Sequence, residues 1–271
     1  MLGAEHPSLA TNWNELGTLA QESGDPAEAV RCFQRAFDIA SQTLAPSSPT
    51  AMGYLLNSAE SLVDEGAVDE AERAAERVSS AVATNEQAAL ARMAQLHRVR
   101  AKIALARGQG AAAVVVARQG LQRLVASLGA QHPDTALLRV EYAMALAGAG
   151  QCAEAVVEFE QYLEVARALS IDRSPDAVRA MVRGADCLTA LGRSPEAVVR
   201  GERAMTTLEH LEGNERLRAE AELTLARARW RADPKDPRVV SLAEQARARW
   251  QQAGRQVEVA KVDAFLGGLK R

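Results

Sequence analysis

Ser8–Phe37 reads SLATNWNELGTLAQESGDPAEAVRCFQRAF, which is two helices around a stop. Leu9, Trp13, Leu16 and Ala20 recur at helical spacing. Gly24 ends that run, because glycine takes the left-handed conformation at a helix terminus at little cost. Asp25-Pro26-Ala27-Glu28 opens the next helix. Asp25 accepts from free amides, Pro26 suits the first turn, and Glu28 completes a capping-box pattern. Ala29, Phe33, Ala36 and Phe37 then share one stripe.

The same frame returns along the chain. Gly24, Gly66, Gly108, Gly150 and Gly192 are each 42 residues apart, and Ala29, Ala71, Ala113, Ala155 and Ala197 follow them at a fixed offset. Pro7, Pro49, Pro133 and Pro175 keep the same clock, with one beat missed at Ala91. LGAEHP at Leu2–Pro7 comes back as LGAQHP at Leu128–Pro133, and Leu44–Pro49 is a degenerate copy. Ser194-Pro195-Glu196 is expected to repeat the Asp25 capping chemistry. After Gly192 the clock slips, with about four residues inserted at Ala232–Pro237. A further pair is read at 216–231 and 238–253, and a terminal helix at 256–266 with Val259, Val262 and Leu266 inward and Lys261, Lys270 and Arg271 outward. The expectation is an all-α chain of about 13 antiparallel helices, six pairs and a C-terminal cap, and the family resemblance that these repeats carry implies a right-handed alpha-alpha superhelix. It is one solenoid domain over 1–271, with repeats at about 8–48, 49–84, 85–127, 133–170, 174–212 and 214–253 and a cap at 255–269. Leu2–Pro7 elsewhere joins two repeats, so the chain is expected to continue a longer protein.

Composition agrees. The 271 residues are 48% hydrophobic with a formal net charge of −3, which suits a folded chain and offers no electrostatic attraction to nucleic acid or an anionic membrane. Alanine, the best helix former, is about a fifth of the chain. Cys32, Cys152 and Cys187 are too few and too scattered for a disulfide framework, which fits a reducing, cytoplasmic setting. The longest apolar run, Ala111–Ala117, falls far short of the ~20 residues that span a bilayer, and the N-terminus lacks a signal-peptide pattern.

Trp13-x-x-Leu16-Gly17-x-x-Ala20 with Gly24, Ala29, Phe33 and Ala36 resembles the tetratricopeptide repeat signature, although the usual aromatic at the Ala20 position is absent. The common period of that family is about 34 residues. The longer period here and the LGAEHP spacer resemble its kinesin-light-chain subclass. The basic, Trp-containing helix and short terminal helix at the end resemble C-terminal regulatory regions of some large bacterial Ser/Thr kinases. The resemblance covers Leu2 to about Trp250; it speaks for fold and little for function.

Catalytic chemistry is not legible. The chain has no phosphate-binding loop, His-Glu-x-x-His helix, Cys-x-x-Cys pair or Gly-x-Ser-x-Gly elbow. His6 and His132 are copies of one turn or capping position, His97 replaces Trp13, and His210 suits a helix C-terminus. Cys32 and Cys187 read as small buried hydrophobes. Glu70, Glu72 and Glu76 read as a solvated face, with Arg73 and Arg77 pairing there. No catalytic residue, cofactor or metal site is expected.

In this resemblance the first helices line an inner groove. The shared phase gives Thr11, Asn14 and Thr18; Gly53, Leu56 and Glu60; Gln95, Arg98 and Lys102; Leu137, Val140 and Met144; and Arg179, Val182 and Asp186. Arg98 and Lys102 share a helix face, and Leu137, Val140 and Met144 make an apolar strip. A protein or peptide with acidic and aliphatic side chains suits that order. The expected partner site is Asn14, Thr18, Glu60, Arg98, Lys102, Val140, Met144, Arg179 and Asp186. The alternative is a ligand- or peptide-sensing domain whose superhelix changes shape; self-association stays open.

Overall fold

The computed structural model describes residues 7–44, 47–82 and 86–269. Among these, thirteen α-helices occur and no strand. The chain divides at Ala149/Gly150 into two compact units. The first unit holds α1 Pro7–Glu22, α2 Pro26–Thr43, α3 Pro49–Glu65, α4 Val68–Val82, α5 Glu86–Ala106, α6 Gly110–Leu128 and α7 Pro133–Gly148. The second holds α8 Cys152–Ala168, α9 Pro175–Ala190, α10 Ser194–Leu208, α11 Glu215–Ala232, α12 Arg238–Gln252 and α13 Gln256–Gly268.

The sequence clock is a clock of turns. Gly24, Gly66, Gly108, Gly150 and Gly192 all have φ between 71° and 98°, in the left-handed region. The amide after the glycine donates back across the turn, as from Asp25 to the Ala20 carbonyl at 2.9 Å and from Arg193 to Leu188 at 2.9 Å. Each alanine that follows, Ala29, Ala71, Ala113, Ala155 and Ala197, is 0% exposed. A small residue at this point lets the second helix of a pair close on its neighbours.

The prolines set the other end. Pro7, Pro49, Pro133 and Pro175 each begin a helix. Their missing N–H is one of the amides a helix leaves unpaired anyway. The residue before three of them is the cap: Ser48 Oγ accepts from Ala51 N at 3.2 Å, Ser174 Oγ from Ala177 N at 3.2 Å, and His132 Nδ1 from Asp134 N at 3.2 Å. His132 therefore caps as its position suggested; its copy, His6, lies outside the described residues with the rest of Leu2–His6. Where Ala91 replaces proline nothing stops the helix, and α5 starts back at Glu86.

Two capping expectations need correction. Asp25 Oδ1 accepts from Glu28 N at 3.0 Å, but the Asp25 amide is already spent on Ala20, so Glu28 turns its carboxylate to Arg31 Nε at 2.8 Å. The capping box is thus half made. In α10 the cap position is Arg193, with no side-chain cap; Ser194 is already inside the helix and buried, and Arg193 holds Glu196 instead. His210 stands in the turn beyond α10 rather than in its last turn.

Each unit has its own core. In the first, Ile39, Leu56, Val78 and Val99 are buried together, with Trp13 packed against them. In the second, Phe159, Tyr162, Met181, Leu188 and Leu208 are fully buried. A fully buried side chain of this size contributes about 2–3 kcal/mol. At the end of the chain Val259 and Val262 of α13 close on Ala219, Leu223, Ala243 and Trp250, and Leu266 packs beside them. Phe265 meets Trp230 edge-on at 6.0 Å. Lys261 is exposed; Lys270 and Arg271 lie outside the described residues.

Candidate functional site

Within the first unit the first helices of successive pairs lie side by side, α3 against α5 and α5 against α7. Polar side chains tie them together. Asn57 Nδ2 on α3 donates to Asn14 Oδ1 on α1 at 2.8 Å, and Gln95 on α5 donates to Asn57 Oδ1. One turn deeper, Glu60 on α3 takes Lys102 Nζ at 2.8 Å and Arg98. Glu60 and Lys102 are 7% and 5% exposed, so this charge pair is an internal tie between repeats. Thr18, which is exposed, donates its hydroxyl to the Asn14 carbonyl at 3.1 Å.

The predicted site residues therefore fall into two kinds. Glu60, Arg98 and Lys102 are brought together, but mainly onto one another, while Asn14 is held by Asn57 and Thr18. The apolar strip is thinner than expected: Val140 is 2% exposed and belongs to the core, while Leu137 and Met144 are half-buried. Leu137 lines a cleft of about 260 Å³ between α5 and α7, with Arg92, Gln95, Arg98 and Asp134 around it. Burial pulls the Arg92 guanidinium below its ordinary range, and its Nε donates to the Pro49 carbonyl at 2.7 Å. Arg92, Gln95 and Asp134 thus share the cleft with Arg98; sequence phase had flagged only Gln95 among them.

Arg179 and Asp186 belong to the second unit. Arg179 Nη1 holds Asp176 at 3.1 Å, and Asp186 accepts from the Thr224 hydroxyl on α11 at 3.1 Å. Burial raises the Asp186 carboxyl, against Arg183, Thr224 and Arg227. A second cleft, of about 410 Å³, lies among α8, α9 and α10, where Leu163, Met181 and Val199 meet Arg200 and Arg203.

Elsewhere the charges are structural or exposed. Arg107 reaches back to Asp69 and Glu72 on α4, each at 2.6 Å. Arg77 does not simply pair on the acidic face; its guanidinium lies over the Phe37 ring at 4.7 Å. No group of three or more His, Cys, Asp or Glu among the described residues is placed to hold a metal ion. No described helix is long and apolar enough to cross a membrane.

The tetratricopeptide repeat family model matches residues 8–84. Together with the helix pairs, that decides the architecture. The chain has the tetratricopeptide-repeat fold. Solved structures of this fold resemble it at low identity. A Rap protein complexed with competence and sporulation factor is 14% identical, with 95% of this chain and 74% of that one covered and a TM-score of 0.65. BtubC (BKLC) from P. vanneervenii is 12% identical over 87% and 92% of the two chains, with a TM-score of 0.62. A signal-transduction ATPase with numerous domains and a tetratricopeptide repeat sensor, from Pyrococcus horikoshii, is 12% identical; the match covers 95% of this chain and 39% of that one, at a TM-score of 0.61. Among curated proteins there is no match.

Proposed function

We propose that this chain is the interaction module of a larger regulatory protein and holds a protein or peptide segment along the first-helix face of its first unit. The segment carries acidic and aliphatic side chains. Arg92 and Arg98 take the acids, Leu137 and Met144 the aliphatic groups, and Asn14 and Thr18 extend the polar end. Glu60 and Lys102 lie beneath them, with Glu60 the resident partner that an incoming acid displaces from Arg98. The 42-residue frame supports placing the repeats with the kinesin-light-chain kind. The observation that carries the proposal is the cleft between α5 and α7, where two guanidiniums, an amide and a half-buried leucine converge. Arginine recognises carboxylates by a planar, bidentate fork.

The test is selection from a random-peptide display library on the whole chain, repeated on Leu137→Asp and Arg98→Ala. Arg98→Ala leaves Glu60 paired with Lys102, so the fold keeps its buried tie. Enrichment of acidic–aliphatic peptides by the parent, lost in both variants, supports the proposal. Enrichment of basic peptides, or equal capture by all three chains, overturns it. A second reading, peptide sensing, is favoured by the Rap protein, whose fold is similar and which is complexed with competence and sporulation factor. It requires the radius of gyration to change when a selected peptide binds, which small-angle scattering measures.

A further inference from the structure

Two of the three cysteines meet in the second unit. Cys152 is the first residue of α8 and half-buried; Cys187 lies in the last turn of α9 and is 3% exposed. α8 and α9 pack against each other, joined by a short loop, so the start of one lies beside the end of the other. The repeat makes this approach close. Gly110, one 42-residue beat before Cys152, sits so near the end of α7 that a Cβ there would meet the Ala149 backbone and the Gly148 carbonyl oxygen at 3.0 Å. At Cys152, the equivalent first position of α8, the residue carries a side chain where Gly110 has none, and α8 packs against α9, whose last turn holds Cys187. Burial pushes the Cys187 thiol up, and hydrogen bonding with the Cys152 thiol adds to it. Both cysteines are free thiols, and neither forms part of the face proposed above.

We propose that Cys152 and Cys187 are a reversible oxidation site that closes to a disulfide under hydrogen peroxide, tying the start of α8 to the end of α9. Cys152, the accessible sulfur, attacks the peroxide; an O–O bond breaks, Cys152 becomes a sulfenic acid and water leaves. The Cys187 sulfur then attacks the Cys152 sulfur, its proton leaves with the sulfenic hydroxyl as a second water, and the S–S bond forms. The two electrons taken from the thiols reduce the peroxide. A dithiol reductant restores both thiols. Cys32 is a built-in control. It is buried in the first unit, where its thiol contacts Glu28 Oε1 at 3.5 Å and has no neighbouring cysteine among the described residues.

The experiment treats the whole chain with hydrogen peroxide, alkylates it in denaturant and maps the cysteines by mass spectrometry. The expected result is joint loss of the Cys152 and Cys187 thiols, a peptide pair lighter by two hydrogens, an unchanged Cys32 and full recovery with dithiothreitol. Cys187→Ser should stop at a Cys152 sulfenic acid that dimedone traps, and Cys152→Ser should leave Cys187 reduced. Circular dichroism verifies that both variants keep their helices. A wild-type chain in which Cys152 proceeds to the sulfinic acid while Cys187 stays alkylatable overturns the proposal. So does a bridge involving Cys32 or a second chain.

Discussion

His97 illustrates how much one residue can carry. It replaces the Trp13 of the first repeat and packs so closely on α6 that a Cβ at Gly120 would meet its Cγ at 2.7 Å. Its Nδ1 is buried with no hydrogen-bond partner among the described residues. Burial, with Arg123 and Arg100 adding to it, lowers the imidazole from its ordinary 6.5. The unfolded chain therefore binds a proton that the folded one refuses. Stability is fully present above about pH 6.5 and is lost as the pH falls below it, by at most about 1.4 kcal/mol per pH unit. Denaturant titrations between pH 7.5 and 5 should show this slope, and His97→Gln should flatten it; an unchanged slope in the variant would remove His97 from the acid sensitivity. The aromatic-to-histidine change was legible from the repeat phase, its burial among arginines was not. Polar partners could have been found the same way. Asn57 to Gln95, Glu60 to Arg98, Asp69 to Arg107 and Asp186 to Thr224 are all contacts between residues 38 apart, one helical turn short of the period. Reading each face alone hid a complement that sat on the next repeat.

At the scale of elements, turn chemistry was the most legible layer. A left-handed glycine and a helix-starting proline are demands of the backbone, so they leave one-residue marks. The extension of α5 shows the converse, since losing a single proline moved a helix start. Side-chain clamps between helices leave no such mark. Glu222 on α11 is 1% exposed and is held by Arg249 of α12 at 2.9 Å. Burial raises its carboxyl, and Arg249 works against that rise. Arg249→Met should strand the carboxylate and cost about 2 kcal/mol, below the fully buried case because the arginine is partly exposed. Adding Glu222→Met should recover most of that loss. Equal costs for the single and double variants, measured by urea unfolding, would mean that the methionines disturb packing and that the pair contributes little.

For the molecule as a whole, repeat stacking means that stability is passed between neighbours rather than shared by one core. Ending the chain at Ala253 would bare Trp250, Ala243 and Leu223, which α13 covers. The loss should be on the order of 3 kcal/mol from the two valines alone. Amide exchange should accelerate in α11 and α12 and stay unchanged in α1–α4. Uniform acceleration would replace the neighbour picture with a single cooperative core. The inner ties have a further effect on recognition. A carboxylate arriving at Arg98 meets a cation that already has Glu60, so it displaces one ion pair to make another. Few counterions are set free in such an exchange, and added salt weakens the incoming and the resident pair alike. Affinity at this face would then vary little with ionic strength, and selectivity would come from how well the incoming side chains fit beside Leu137.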